Sequence, residues 1–336
     1  MSTRMTDVAK RARVSVTTVS HAINNTRPVA EETRNRILRI ASELNYYRNA
    51  SARLLVRGRG NSFGLIISDI ENPFYPELIK AFQTAAHDRG FDILLCTTNY
   101  DSEDTRKAVQ RMMENRVLGV ALMTSQFDAA LTAELIRSET PVVRLDSGQV
   151  KRSLSDIHID YSHGARQAIA NLKQLGHRRL ALITGPNSRV SAVTYTNVLL
   201  HAISAAGLPK PLLVEGNNRV EGGADGARKI LLENKRPSAI ICGNDLAAVG
   251  ALQAIQEAGL RVPDDISIIG SDDILLSRYT SPSLTTVRIP RDELGRMAFQ
   301  SLLKMHNSKS RRGAKFTVET ELVVRRSTGP AAETAL

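Results

Sequence analysis

The chain has 336 residues, 42% of them hydrophobic, with two cysteines, no tryptophan and a formal net charge of +11. That length exceeds one ordinary core and calls for two or three domains. No apolar run approaches the ~20 residues that span a bilayer, and Met1 to Asp7 holds no export-directing apolar stretch, so a cytoplasmic protein is expected.

Residues 1–60 carry twelve Lys and Arg against Asp7, Glu31, Glu32 and Glu43, which is +8 of the chain's +11. A basic head on a nearly balanced body points to a polyanion reached through one end. Duplex DNA, with a charge every ~1.7 Å, is the first candidate. A solvated basic tail is the bland alternative. Thr6 is placed to cap a first helix whose apolar positions are Val8, Ala9 and Ala12. Arg13-Val14-Ser15 connects it to a second helix over 16–23, with Ser15 as its cap. Val19 and Ile23 share one face of that helix, beside Ala22, while Val16, Thr17, Ser20 and His21 project from the other. The chain breaks at 24–28, and a third helix over 31–44 offers Ile37, Ile40, Ala41 and Leu44. Such a trio suits a major-groove reader, whose second helix presents its N-terminal turn to base edges. A helical oligomerisation module explains the periodicity but not the Thr/Ser/His-rich outer face.

The run Asp7-Val8-Ala9-Lys10-Arg11-Ala12-Arg13-Val14-Ser15-Val16-Thr17-Thr18-Val19-Ser20-His21-Ala22-Ile23-Asn24 resembles the headpiece of the LacI/GalR repressor family. Thr26-Arg27-Pro28-Val29-Ala30-Glu31-Glu32-Thr33-Arg34 is similar to the purine and ribose repressors within it. The resemblance implies base reading by Val16, Thr17, His21 and Arg27, with Val16 limited to apolar contact such as a thymine methyl. It also implies phosphate contacts from Ser20, Asn24 and Tyr46, which set register without reading sequence.

Residues 44–55 resemble the family's hinge signature, with Arg48 where proline is usual. Asn49 is placed to cap a helix of about nine residues ending at Gly58. That is below the ~12–15 residues that hold a helix alone in water, so it should fold only when something packs against it. By resemblance, the hinge helices of two subunits meet in the minor groove. Leu55 is then the wedge, with Ala52 and Arg53 beside it; such wedges unstack a base step and kink the duplex. A plain linker suits 57–62 but not 50–56.

From residue 63 short apolar runs alternate with helical stretches. The runs are 63–68, 91–97, 119–124, 141–145, 179–184, 212–215, 239–242 and 266–270; helices are expected over 76–89 and 103–115 among others. Cys96 and Cys242 fall inside such runs, as small core residues do. Alternation of this kind indicates parallel sheets in two doubly wound α/β lobes, whose ligands sit at the carboxyl ends of strands. The loops there carry 71–75, 146–147, 185–189, 243–245 and 271–273, where aromatics beside carboxylates and amides suit a small polar metabolite. Singly, each Asx residue reads better as a helix cap and Phe74 as core.

The body resembles the periplasmic sugar-binding-protein fold used by the family. The resemblance places Asn72, Phe74, Tyr75, Asp146, Asn244 and Asp272 on effector-contacting positions. Arg189 and Ser191 match purine-reading positions, but the matching stacking phenylalanine is Asn218. Sugar-responsive members usually carry arginine and glutamine where this chain has Val193 and Ile289. A sugar, a sugar acid or a nucleoside-like effector all stay open.

The expected organisation is a helix-turn-helix headpiece over 1–47 and a hinge over 48–61, followed by the two lobes. The N-terminal lobe takes 62–160 with about 289–318, and the C-terminal lobe 161–288 with about 319–330. The function expected is a ligand-responsive transcription regulator, a repressor acting as a homodimer on a palindromic operator; an activator or dual regulator is the alternative. The C-terminus lacks the leucine heptads of a tetramerising coiled coil. An enzyme is not expected, nor a cofactor or metal. Gly58-Arg59-Gly60 precedes a strand instead of following one, and no Walker loop, GxSxG elbow or metal-spaced His/Cys cluster occurs. Asp264-Asp265 and Asp272-Asp273 are adjacent acids that point apart. A transport component would need an export signal and no headpiece.

Overall fold

The computed structural model describes residues 3–24, 27–46, 60–124 and 129–332. The hinge assignments to Asn49, Ala52, Arg53 and Leu55 lie outside the described residues. The chain separates into two units, Met1–Gly60 and Asn61–Leu336.

In the first unit, α1 (Met5–Ala12), α2 (Val16–Asn24) and α3 (Glu31–Glu43) bury small apolar faces against one another. Val8, Ala9 and Ala12 meet Val19, Ala22 and Ile23, with Ile37, Ile40 and Ala41 closing the core and Leu44 packed at its edge. Thr6 does not cap α1, contrary to the sequence reading. The helix starts two residues earlier, at Met5, and the Asp7 carboxylate accepts the Arg4 N–H at 2.8 Å. An acid in the first turn thus does the capping work from inside the helix. Ser15 does cap α2, its Oγ accepting the Thr18 N–H at 3.0 Å. Between the helices Arg13 takes a left-handed φ of 52°, which turns the chain within three residues.

The second unit opens with β1 (Ser62–Ile67), α4 (Phe74–His87), β2 (Asp92–Thr97), α5 (Ser102–Glu114), β3 (Val120–Met123), α6 (Ala129–Arg137), β4 (Val142–Leu145) and β5 (Leu154–Asp160). It continues with α7 (Ser162–Gln174), β6 (Leu180–Thr184), α8 (Val190–Ala205), β7 (Leu212–Glu215), α9 (Val220–Leu231), β8 (Ala239–Cys242), α10 (Asp245–Glu257), β9 (Ser267–Asp272) and β10 (Thr285–Arg288). Then α11 (Arg291–Asn307), β11 (Lys315–Glu319) and β12 (Glu321–Val323) follow. Two six-stranded sheets result, ordered β11-β5-β4-β3-β1-β2 in the first lobe and β12-β10-β9-β8-β6-β7 in the second. All neighbours are parallel except β10 and β12.

All eight apolar runs are strands, with ends moved by no more than two residues. The sequence reading missed β5, β10, β11 and β12. These are short or alternate polar with apolar residues, as strands near a sheet edge do, so they lack the continuous apolar run of a central parallel strand. Cys96 and Cys242 are free and buried. In the second lobe α9 and α10 touch backbone to backbone. A Cβ on Gly250 would lie 1.8 Å from the Val220 carbonyl oxygen, and one on Gly223 would lie 2.0 Å from that of Ala247.

The chain passes between the lobes after β5, after β10 and at Thr320, the single residue between β11 and β12. Thr320 is buried; its Oγ1 donates to the Asp160 carbonyl at 2.9 Å and accepts the Gly164 N–H at 3.2 Å.

Candidate functional site

On α2 the burial divides as an amphipathic helix requires. Val19, Ala22 and Ile23 are buried, Thr17 is exposed, and Val16 is 42% exposed, a large apolar side chain left in solvent at the first turn. Ser20, His21 and Asn24 are half-buried, and Asn24 Nδ2 donates to Ser20 Oγ at 3.2 Å, one turn apart. Arg27 is exposed beyond the helix. Tyr46 packs on the three-helix core, and its N–H donates to the Ala41 carbonyl at 2.8 Å.

In the second unit the carboxyl ends of both sheets face a cavity of about 110 Å³. All eight sequence-predicted positions line it: Asn72, Phe74, Tyr75 and Asp146 from the first lobe, and Arg189, Ser191, Asn244 and Asp272 from the second. Ile289, on the second lobe crossing, lines it too, whereas Val193 lies outside the lining and is 37% exposed. Reading the sequence missed Tyr100, Tyr161 and Tyr195. Tyr161 directly follows β5, and that unrecognised strand hid it. Tyr195 sits one turn past Ser191 on α8, a spacing that could have found it.

The capping alternative holds for Asn244, which both caps a helix and lines the cavity. Asn72 Oδ1 accepts the Phe74 N–H at 3.0 Å, closing a turn just ahead of α4, whose N-cap position is Pro73. Asn244 Oδ1 accepts the Ala247 N–H at 2.9 Å, while its Nδ2 donates to the Asn218 carbonyl at 2.9 Å. Phe74 is 8% exposed, part of the core as well as of the cavity wall. Its ring meets Tyr75 edge-on at 5.2 Å, and Tyr161 and Tyr195 lie 5.2 Å apart opposite.

Burial sets the protonation of the wall. It pushes the phenols of Tyr75, Tyr161 and Tyr195 up, so they stay hydroxyls that can donate as well as accept. It also raises both acids that face the cavity. Asp146 is raised by burial, opposed by the Ile159 N–H at 2.8 Å and by His158 Nδ1 at 3.0 Å, both on its Oδ1. Asp272 is raised well above the usual carboxylate range by burial and by Asp245 nearby, with Arg291 pulling the other way. Asp272 and Asp273 both hold left-handed backbone, φ 111° and 53°. That turn sends one carboxyl into the cavity and the other to Arg288, 2.7 Å away, and Arg325.

Two arginines of the second lobe reach the first beside the cavity. The Arg189 guanidinium lies 3.5 Å over the Tyr100 ring, and Arg219 pairs with Asp69 and Glu71. Among the described residues, no group of three or more His, Cys, Asp or Glu is placed to hold a metal ion, and no helix is long and apolar enough to cross a membrane.

Residues 4–49 match the bacterial regulatory proteins of the lacI family, and residues 169–328 match the periplasmic binding protein-like domain. The chain is 37% identical over 325 residues to the HTH-type transcriptional repressor PurR of Klebsiella pneumoniae, covering 96% of this chain and 95% of that protein. The chain belongs to the lacI family. This lacI-family regulator is also similar to the lac repressor dimer bound to operator and the anti-inducer ONPF, with a TM-score of 0.86 at 27% identity, covering 98% of this chain and 100% of that one. A LacI family transcriptional regulator from Enterococcus faecium with bound ribose matches with a TM-score of 0.72 at 25% identity, covering 80% and 99%. The protein is a DNA-binding transcription regulator with a ligand-binding α/β body, and not an enzyme.

Proposed function

We propose that the protein represses transcription as a homodimer on a palindromic operator in the cytoplasm, and that a small polar metabolite in the cleft between its lobes tunes its grip. Val16, Thr17, His21 and Arg27 read bases, and Ser20, Asn24 and Tyr46 hold phosphates. Ala52, Arg53 and Leu55 enter the minor groove when the hinge folds on DNA. The effector meets Asn72, Phe74, Tyr75, Asp146, Arg189, Ser191, Asn244 and Asp272. The N-terminal lobe takes 62–160 with about 289–318, and the C-terminal lobe 161–288 with about 319–330.

One observation carries this reading: eight residues spread over 200 positions of sequence, drawn from both lobes, line one small cavity. Rings on its walls suit the apolar face of a flat or cyclic molecule. Carboxyl, amide and hydroxyl groups suit its polar rim. A ligand touching both lobes binds their juxtaposition, so ligand and operator affinities become linked, each changing the other by the same factor.

The test selects duplexes from a random pool with the full chain, then measures operator affinity with D-ribose, D-gluconate, adenosine or hypoxanthine present. Thermal shifts are followed in parallel. A near-palindromic site bound tightly, with at least one compound shifting both melting and operator affinity, is the expected result. A chain that prefers no duplex over random competitor overturns it.

A further inference from the structure

Arg291 opens α11 in the first lobe and is 5% exposed. Its Nη2 donates to Glu77 Oε2 on α4 at 2.6 Å, and also to the backbone carbonyl of Asp273, in the second lobe, at 2.7 Å. One guanidinium nitrogen therefore ties the two lobes together. Its Nε and Nη1 are buried without a hydrogen-bond partner among the described residues. Donors left open in a low-dielectric interior are costly, so such a group is drawn to any acceptor that comes within reach.

The tie ends on a stiff piece of backbone. The Asp273 carboxylate is clamped by Arg288 and Arg325, and Asp273 and Asp272 share the left-handed turn. Asp273 cannot shift without moving Asp272, whose carboxyl faces the cleft. Asp272 is electrostatically coupled to Arg291 yet forms no ion pair with it. The Asp272 carboxyl on one side of this turn and the Arg291 guanidinium on the other thus bear on the same two residues of backbone.

We propose that Arg291 is a positioning residue that couples what Asp272 meets in the cleft to helix α4 of the first lobe, through the Asp273 carbonyl on one side and Glu77 on the other. The coupling rests on the reading that Asp272 faces the effector. Its support is a continuous chain of contacts, from Asp272 through the adjoining Asp273 carbonyl and Arg291 to Glu77; the exchange experiment measures whether that chain carries coupling.

The test needs no ligand and uses the full chain. Amide hydrogen exchange is followed in α4, with α5 as the reference helix of the same lobe. Asp272→Asn should change exchange in α4 relative to α5 by roughly five-fold or more. The same substitution should leave that ratio unmoved in an Arg291→Met background. Glu77 is about half exposed, so Glu77→Gln spares folding, and it should also abolish the response. Arg291→Lys keeps the charge and should restore part of it. An equal response to Asp272→Asn with and without Arg291 overturns the proposal, as does no response in α4. D-Ribose, D-gluconate, adenosine and hypoxanthine are added separately to the unmodified protein. If none of them binds, the effector reading fails while the exchange result stands by itself.

Discussion

Arg219 of the second lobe lies 3.1 Å from Asp69 of the first, Nη2 to Oδ2, while its Nη1 sits 3.4 Å from Glu71. The arginine side chain is 52% exposed and that of Asp69 only 11%, so the pair stands half in water. Exposed pairs of this kind contribute about 1 kcal/mol or less, and salt screens them. Arg219→Ala should therefore favour open lobes by less than about five-fold. Small-angle scattering should show wild type at high salt approaching the variant, and the variant itself little moved by salt. A wild-type profile unmoved by salt argues against this tether.

Asp245 carries a pH signature. Its carboxyl is fully buried and accepts Ser277 Oγ at 2.6 Å, Thr286 Oγ1 at 2.5 Å and the Ile274 N–H at 2.8 Å. Burial nonetheless wins and pushes it up to about 6. At low pH the native and unfolded chains both hold this proton. From about pH 4 to about pH 6 the unfolded chain releases it and the native one does not, so stability falls as pH rises, by about 3 kcal/mol in all, and then levels. Asp245→Asn should reduce that slope in melting temperature across the window, at the cost of one acceptor oxygen, with Asp146 and Asp272, also raised by burial, contributing the remainder. A slope undiminished by the substitution assigns the titration elsewhere.

Gly250→Ala should be costly although it adds one methyl group. The new carbon would fall 1.8 Å from the Val220 carbonyl oxygen, so α9 and α10 must part. Overpacking of this kind typically costs about 1–3 kcal/mol. Calorimetry should show a melting transition lowered by several degrees, with the headpiece still folded by circular dichroism.

In the headpiece, substitutions should separate into three behaviours. His21→Ala should relax preference at one base position per half-site, at about 1–3 kcal/mol. Ser20→Ala should weaken all duplexes alike and leave the salt dependence of binding unchanged, because a neutral hydroxyl releases no counterion. Leu55→Ala should weaken specific operator binding while sparing weak non-specific binding. Binding profiles across operator variants distinguish them, and an unchanged profile for His21→Ala removes its reading role.

Much of this was legible before any coordinates. Central strands such as β8, Ala239–Cys242, are apolar on both faces and declare themselves as runs. Loop acids and amides at their carboxyl ends followed from sheet topology, and the headpiece from its unbroken motif. The losses have physical causes. Strands like β11, exposed and half-buried by turns, carry mixed polarity that one-dimensional reading assigns to loops. Helix α1 is capped from within by Asp7, a device that a search for Ser or Thr before the helix overlooks. Arg291 was invisible because its role depends on Glu77, 214 positions away in the chain.

Thr320 stitches one passage between the lobes to another, binding the Asp160 carbonyl and the Gly164 amide with the same hydroxyl. Two of the three passages are thereby bonded into one unit, so neither can shift without pulling on the other. A molecule that pushes on either lobe pushes on both threads at once.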